Sequence, residues 1–576
     1  METLDSIGDF GWSAEIRIPF HTLNFDPKTS TWGINFQRTI RRKNEEILWS
    51  GHKRNQGIYR PQDAGRLTGL NNISQGLGLE LVGYGKAEAL KVQNESEGDY
   101  NNSQSLDGGL DVNYNITPGL KASLTVNTDF AETEVDDRQI NLTRFPIRFP
   151  EKRDFFLEGA NIFRFAPSSG VYPYFSRKIG LRSGNPIPIL YGGRVIGKIG
   201  KVEVAAQQVK TRETDNFSSE DFSVIRLKQN FLKESSIGVL YTRRHTNKGK
   251  QFVPPLQDRN TLGIDLTLNT STFLKNQNLQ FQAFAVIHNP ELPGEINNNI
   301  WDRSARGLRF NFPNDPWSGS LSYREFGVSY DPAVGFSRRN SFRRVEQRIR
   351  FSPILENSST IRELQWEVSF ENLMSLQWKK LTQNIRLTPL SIRFESGDEI
   401  SYQIIRNFER LEYDFNILGD NSIVIPVGNY TNWSHQIELE TANYRKIVYG
   451  IELKTEGFWS GNRTEYGNEL IFRPFPGINL NLGYIHSRVN LREGNFKTNL
   501  VRFLGDFDFT PFISLSSNIQ YDDISENIGM NNRFKYTITP GSDIYFVYNH
   551  NWFNDDGKYK TSSMLGATKI TYTHRF

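Results

Sequence analysis

Residues 129–159, DFAETEVDDRQINLTRFPIRFPEKRDFFLEG, gather more ionisable chemistry than any other stretch of this 576-residue chain. Glu132, Glu134 and Asp136 recur at every second position, so an extended backbone places all three carboxylates on one side. Arg144, Arg148, Glu151, Lys152, Arg153 and Glu158 follow, interleaved with Phe155 and Phe156. Two chemistries fit. An acidic ladder facing water can bind a cation or a polyhydroxylated ligand. The same acids can pair with Arg144, Arg148, Lys152 and Arg153 and hold a folded-in segment in place. The second fits better, because calcium needs oxygens clustered at short loop spacings and no more than two acids converge here. No metal and no cofactor is expected. Pro150 and Glu151 start a short helix and Gly159 stops it. With Phe145, Phe149, Phe155, Phe156, Phe163 and Phe165 as anchors, the segment near 134–180 is expected to be a constriction or plug-like insertion rather than an ordinary outer loop.

Catalytic chemistry has little to work with. A hydrolase needs a histidine poised beside a nucleophile or an acid. His21, His52, His245, His288, His435, His486, His550 and His574 sit in no such pattern, and HExxH, GxSxG and P-loop motifs are absent. No catalytic residue is assigned. Asp522–Asp523 and Asp555–Asp556 read as solvated loop charge. There is no cysteine, which excludes disulfides and thiolate metal sites. A net charge of +4 spread over the whole chain gives no basic patch, so nucleic acid is not an expected partner.

The elements that must position these residues are strands. Aromatics make up 13% of the chain while mean hydropathy is only −0.54, so it is rich in strand formers yet polar on average. The longest apolar run, Ala283 to Ile287, is far short of the ~20 residues a spanning helix needs. A barrel strand needs ~9–11 residues and shows lipid only every second side chain. Alternation of that kind recurs from about residue 77 onward, as in Leu262-Ile264-Leu266-Leu268 and Ile478-Leu480-Leu482-Tyr484. Short connectors centre on proline (115–119, 473–477, 509–512, 538–543). Longer ones (94–105, 288–299) are rich in Asn and Gly. This asymmetry is that of tight periplasmic turns and long outer loops. The last strand carries Ile570, Tyr572 and Phe576 on one face, as expected of a segment that presents a barrel to the assembly machinery. The expected fold is all-β: a large antiparallel transmembrane β-barrel of roughly 20–26 strands over 71–576, preceded by a partial β-sandwich over 1–70. Outer-membrane lipid is its expected surroundings. In the sandwich, Trp12, Trp32 and Trp49 are large rings that either fill a core or stack on a sugar. Met1 to Asp5 is acidic and opens no signal peptide, so a leader and the first part of the sandwich are expected upstream.

NLTRFPIRFPEKRDFFLEGANIF (141–163), YPYFSRKIGL (172–181) and PILYGGRVIGKIG (188–200) resemble the hallmark run of a family of bacterial outer-membrane proteins. Its large barrel has no settled activity and follows an N-terminal sandwich similar to the family 9 carbohydrate-binding module. GWSAEIRIPF, WGINFQRTIRR and EEILWS resemble the closing strands of that module. The resemblance covers nearly the whole chain. It implies a Gram-negative outer-membrane location with the sandwich on the periplasmic side. With no catalytic motif found, the expected protein is a non-enzymatic pore or surface receptor that binds or passes glycans or other polymers. A membrane-associated glycan hydrolase and a closed scaffold for secretion or assembly are the alternatives. With no TonB box or separate plug domain in the chain, energised uptake is not expected unless a segment upstream supplies them.

Overall fold

The computed structural model describes residues 2–9, 11–20, 23, 25–26, 28–40, 45–51, 57–59, 61–73, 77–94, 99–130, 135–182, 185–247, 258–290, 299–332 and 334–576. Twenty-four antiparallel strands close into one barrel. The first, Leu79–Gln93, pairs with the last, Lys558–Arg575, in a register running from Glu80↔Arg575 to Val92↔Ser563. Closure removes every open edge, the requirement lipid imposes on a spanning sheet. Both ends of the wall therefore leave from the same rim, where Glu80 also pairs with Arg575 at 2.6 Å.

Strand Arg259–Phe273 shows why these residues make a wall. Arg259, Thr261 and Asp265 are buried, while Leu262 and Ile264, between them, are about half exposed. This inverts a soluble protein: polar groups lie inside and apolar ones face out to lipid. Trp317, Ile349, Trp433, Ile437, Ile570, Tyr572 and Phe576 are likewise exposed on the outside. The Pro-centred turns 118–119, 473–477, 511–512 and 540–541 all lie on the rim that carries the termini. The opposite rim carries the long connections. The sequence places a loop over 94–105, but strand Tyr100–Thr117 already begins at Tyr100. Much of the other expected long loop, 291–298, lies outside the described residues. No described helix is long and apolar enough to cross a membrane.

Ahead of the barrel, the described residues form three separate two-stranded ladders: Glu2–Gly8 with Gly11–Arg17, Thr31–Ile34 with Gly65–Thr68, and Gln37–Ile40 with Glu45–Leu48. The single strand expected over 31–42 is broken at Asn35. Its side chain binds the Ser50 backbone N–H and C=O, both at 3.0 Å, in place of a ladder. The ladders are not joined into one sheet, though they touch: the Trp49 ring lies over Gly65 and the Arg38 guanidinium is 5.5 Å from the Trp12 ring centre. Trp12 and Trp49 are nonetheless 60% exposed rather than core. Trp32 is part-buried against Phe20 and Phe25.

Candidate functional site

Residues 127–188 leave the wall after strand Leu120–Val126 and return at strand Ile189–Ile199. Those two strands pair directly, from Leu120↔Gly197 to Val126↔Tyr191. The intervening chain is thus not needed to close the ring. It departs from the long-loop rim and packs against lumen-facing side chains.

Its second half is an apolar wedge. Phe163, Phe165, Ala166 and Val171 are buried against Val224, Leu240, Phe284 and Val286. Phe156 and Ile179 are buried against Ile189, Val209, Phe222 and Val334. Apolar side chains facing a water-filled lumen would be costly, so these strands are matched to the wedge that covers them. Backbone bonds add to the seal: Phe175 donates to the Val334 carbonyl at 2.7 Å, and Phe336 to the Tyr172 carbonyl at 2.8 Å. Two buried wall charges sit beneath. Arg226 donates to both oxygens of Asp265, at 2.5 and 2.9 Å, and Asp265 also accepts the Ala166 backbone N–H at 3.1 Å.

The first half is a mainly polar strap. Asp129 pairs with Lys86 at 2.8 Å and Lys569 at 3.5 Å. Arg138 donates to Asp522 at 2.8 Å, and its backbone N–H to Gln520 at 2.5 Å. Arg144 pairs with Glu409. These partners lie on strands spread around the ring, so the strap crosses the lumen. Its apolar anchors are Leu142, buried among Leu411, Ile417, Ile425 and Val489, and the part-buried Ile140, packed against the same cluster.

The acid-to-base pairing expected within the block is redistributed. Glu132 and Glu134 lie outside the described residues. Asp136 accepts from Arg177, not from the cations expected for it. Arg148 stacks on Tyr172, 4.4 Å from the ring centre. Lys152 donates to the Val135 carbonyl at 2.8 Å. Glu158 pairs with Arg194 and, at 2.6 Å, with Lys121. Phe155 packs edge-on against Phe156, with the Arg194 guanidinium 4.9 Å from its ring centre. The expected helix begins three residues late, as two single turns, Asp154–Leu157 and Ala160–Phe163. Gly159, at φ 70°, ends the first. The delay has a cause: the Glu151 carboxylate accepts the backbone N–H groups of Lys152 and Arg153, both at 3.0 Å, ahead of the first turn.

Glu151 is the hinge between the halves. It accepts from Arg153 Nε at 2.8 Å, from Arg153 Nη2 at 2.7 Å and from Ser176 Oγ at 2.6 Å. Burial alone would push its carboxyl up. The Arg153 hydrogen bonds and charge, with Ser176 and a backbone N–H, outweigh that and hold it below the ordinary 4.5. A depressed folded pKa contributes stability above the ordinary value, lost as pH falls through the folded one. Hydrogen exchange over residues 151–179, corrected for its intrinsic pH dependence, is therefore expected to be slow at pH 7 and to accelerate once pH drops below 4.5. Glu151→Gln is expected to show the fast exchange already at pH 7. A pH-independent profile in the unaltered protein would contradict the assignment.

Between the hinge and the wall lies a polar cavity of about 690 Å³, lined by Asp111, Asn113, Asp129, Glu151, Arg194 and Lys569 among others. Among the described residues no cluster of three or more His, Asp or Glu side chains could hold a metal. The residues not foreseen include Arg177, Arg194, Arg226, Asp265 and Glu409, and also Asp522, which the sequence reads as solvated loop charge but which is buried at the end of a wall strand and paired with Arg138. Arg194, Arg226 and Asp265 had a visible signal: each is a charge flanked by apolar residues on the inward phase of a strand, as in GGRVIGK, SVIRLKQ and LGIDLTL, although Lys198 and Lys228 share that phase with the first two.

Residues 78–188, the first three barrel strands and the whole insertion, match a family described as a domain of unknown function (DUF5916). No curated protein matches the chain. The fold is similar to solved outer-membrane barrels at low identity. The ferric enterobactin receptor PfeA of Pseudomonas aeruginosa, bound to enterobactin, is 9% identical, with a TM-score of 0.39 over 86% of this chain and 81% of that one. The ferripyoverdine receptor of the same organism's outer membrane is 10% identical, with a TM-score of 0.38 over 85% and 72%. Pseudomonas aeruginosa OpdL is 9% identical, with a TM-score of 0.27 over 86% and 98%.

Proposed function

We propose that this chain is a gated, non-enzymatic pore of a bacterial outer membrane, admitting a polar solute when the strap releases. The observation that carries the reading is the division of the insertion: an apolar wedge sealed to one side of the wall, and a strap held across the remaining lumen chiefly by ion pairs and hydrogen bonds. Polar ties in a wet lumen can be replaced by bonds to water, whereas the wedge cannot leave without exposing Phe156, Phe163 and Phe165. The outward apolar belt supports placement in lipid. The exposed Ile570, Tyr572 and Phe576 support recognition of the last strand by the assembly machinery. A hydrogen bond from Phe25 to the Pro118 carbonyl, at 3.2 Å, supports a position of the N-terminal ladders at the short-turn rim, the periplasmic side of such barrels. Liposome swelling tests the reading. Vesicles holding the full chain are expected to admit a small neutral sugar slowly, and removal of residues 135–150 to raise the rate at least ~10-fold, since ~1.4 kcal/mol of lost closure is a factor of ten. Equal rates would overturn it.

A second reading, capture of a glycan or another polymer before passage, rests on the exposed indoles of Trp12 and Trp49, with Trp32 nearby in sequence. Rings presented in this way suit stacking on sugars. A glycan array probed with the full chain is expected to show binding that Trp12→Ala and Trp49→Ala weaken. A blank array would remove this reading and leave the pore untouched.

A further inference from the structure

The lumen has a second cavity, away from the strap, with three arginines against two carboxylates in its lining. It measures about 560 Å³ and lies toward the short-turn rim, beside residues 313–315. Arg309, Arg348 and Arg350 line it. All three point inward: Leu308 and Phe310 flank Arg309 and are exposed to lipid, as is Ile349 between the other two. Among the described residues, the only carboxylate within ion-pairing distance of any of them is Glu367, 3.8 Å from Arg348. Arg309 donates to the Ser168 carbonyl at 3.0 Å, and its Nε is buried without a partner. Arg350 has only Ser318 Oγ at 3.2 Å and Gln365 at 3.4 Å. The contrast with the same wall nearer the long-loop rim is direct. There, Arg324 and Arg344 are matched by Glu346, and Arg344 by Glu371 at 2.9 Å.

Apart from the carboxylates Glu234 and Asp315 and from Leu279, Pro313 and Gly319, the rest of the lining is neutral hydrogen-bonding groups. Asn269, Gln280, Asn311, Ser320 and Arg348 form one in-register row across five neighbouring strands. Ser318, on the same strand as Ser320, is small and leaves room in front of Arg350. Glu234 and Asp315 stand at the turn edge of the cavity. Three guanidiniums in one concave site, with amides and hydroxyls around them, present the planar donors that oxyanions accept in pairs. Left alone, their mutual repulsion would disfavour the arrangement. A bound anion relieves it.

We infer that this cavity is a binding site for the phosphate or sulfate group of a polar solute. The inference deepens the pore reading and rests on it, naming the chemistry of what enters. Equilibrium binding to the detergent-solubilised full chain tests it without any need for conduction, so it can fail while gating holds. Isothermal titration with glucose 6-phosphate is expected to give saturable binding that weakens as salt is raised. Unphosphorylated glucose is expected to bind at least ~10-fold more weakly, the equivalent of about 1.4 kcal/mol. Inorganic phosphate binding as tightly as the sugar phosphate upholds the oxyanion assignment and makes the sugar a bystander. Arg309→Gln and Arg350→Gln, checked for a closed barrel by heat-modifiable electrophoretic migration, are each expected to lose at least ~10-fold in affinity. Lys535→Gln, in the other cavity, is expected to leave it unchanged. No binding of either phosphate, or binding that the two arginine variants retain, would overturn the inference.

Discussion

Asp265→Ala is expected to destabilise the barrel by about 3–5 kcal/mol, because it leaves a buried guanidinium without its counter-charge. Arg226 is only 1% exposed and fills a slot above Gly238, where an added Cβ would lie 2.7 Å from the guanidinium carbon. Its carboxylate partner serves two masters: it neutralises Arg226 and it fixes the Ala166 backbone N–H of the wedge at 3.1 Å. The Phe165 ring completes the site, 5.5 Å from the guanidinium. Loss of Asp265 thus strikes wall and wedge together. Urea unfolding of the detergent-solubilised protein, followed by tryptophan fluorescence, measures the cost. Arg226→Met combined with Asp265→Leu is expected to recover the charge-balance part of it, since an apolar pair needs none, and to leave the cost of the unbonded Ala166 N–H. A single-variant loss below about 1 kcal/mol would show the pair to be solvated, as exposed pairs are.

Arg138→Gln with Arg144→Gln is the second large effect, on function rather than stability. Each arginine meets a carboxylate on a different part of the ring, Asp522 and Glu409. A charge-assisted bond contributes roughly 1.5–3 kcal/mol. Losing two at the low end, about 3 kcal/mol, raises the population of the released strap by about 100-fold. The urea midpoint is expected to fall by no more than the lost closure accounts for, because neither side chain joins the backbone ladder of the wall.

Much of this was legible in the residues because a barrel strand declares itself twice, by apolar alternation and by where the turns fall. The alternation Leu262-Ile264 and the proline turns at 118, 476, 511 and 540 place wall and rims directly. The insertion was legible for the opposite reason: six phenylalanines between charges break that alternation. What stayed hidden were its partners. Arg144 meets Glu409 and Arg138 meets Asp522 across hundreds of residues, and only ring closure brings those strands within reach. Glu151 was visible as a helix starter, yet its side chain caps the chain before the helix and delays it. The N-terminal tryptophans show the limit of pattern: alternation at Trp12 and Trp32 indicates a strand, but not whether a second sheet covers it.

Single-channel recording in planar bilayers tests the gate most directly. The unaltered chain is expected to stay closed for most of the record with brief openings, and the Arg138→Gln/Arg144→Gln chain to stay open for most of it at the same unit conductance. Identical, silent records from both, persisting after residues 135–150 are removed, would contradict the gate and leave the insertion as a permanent stopper.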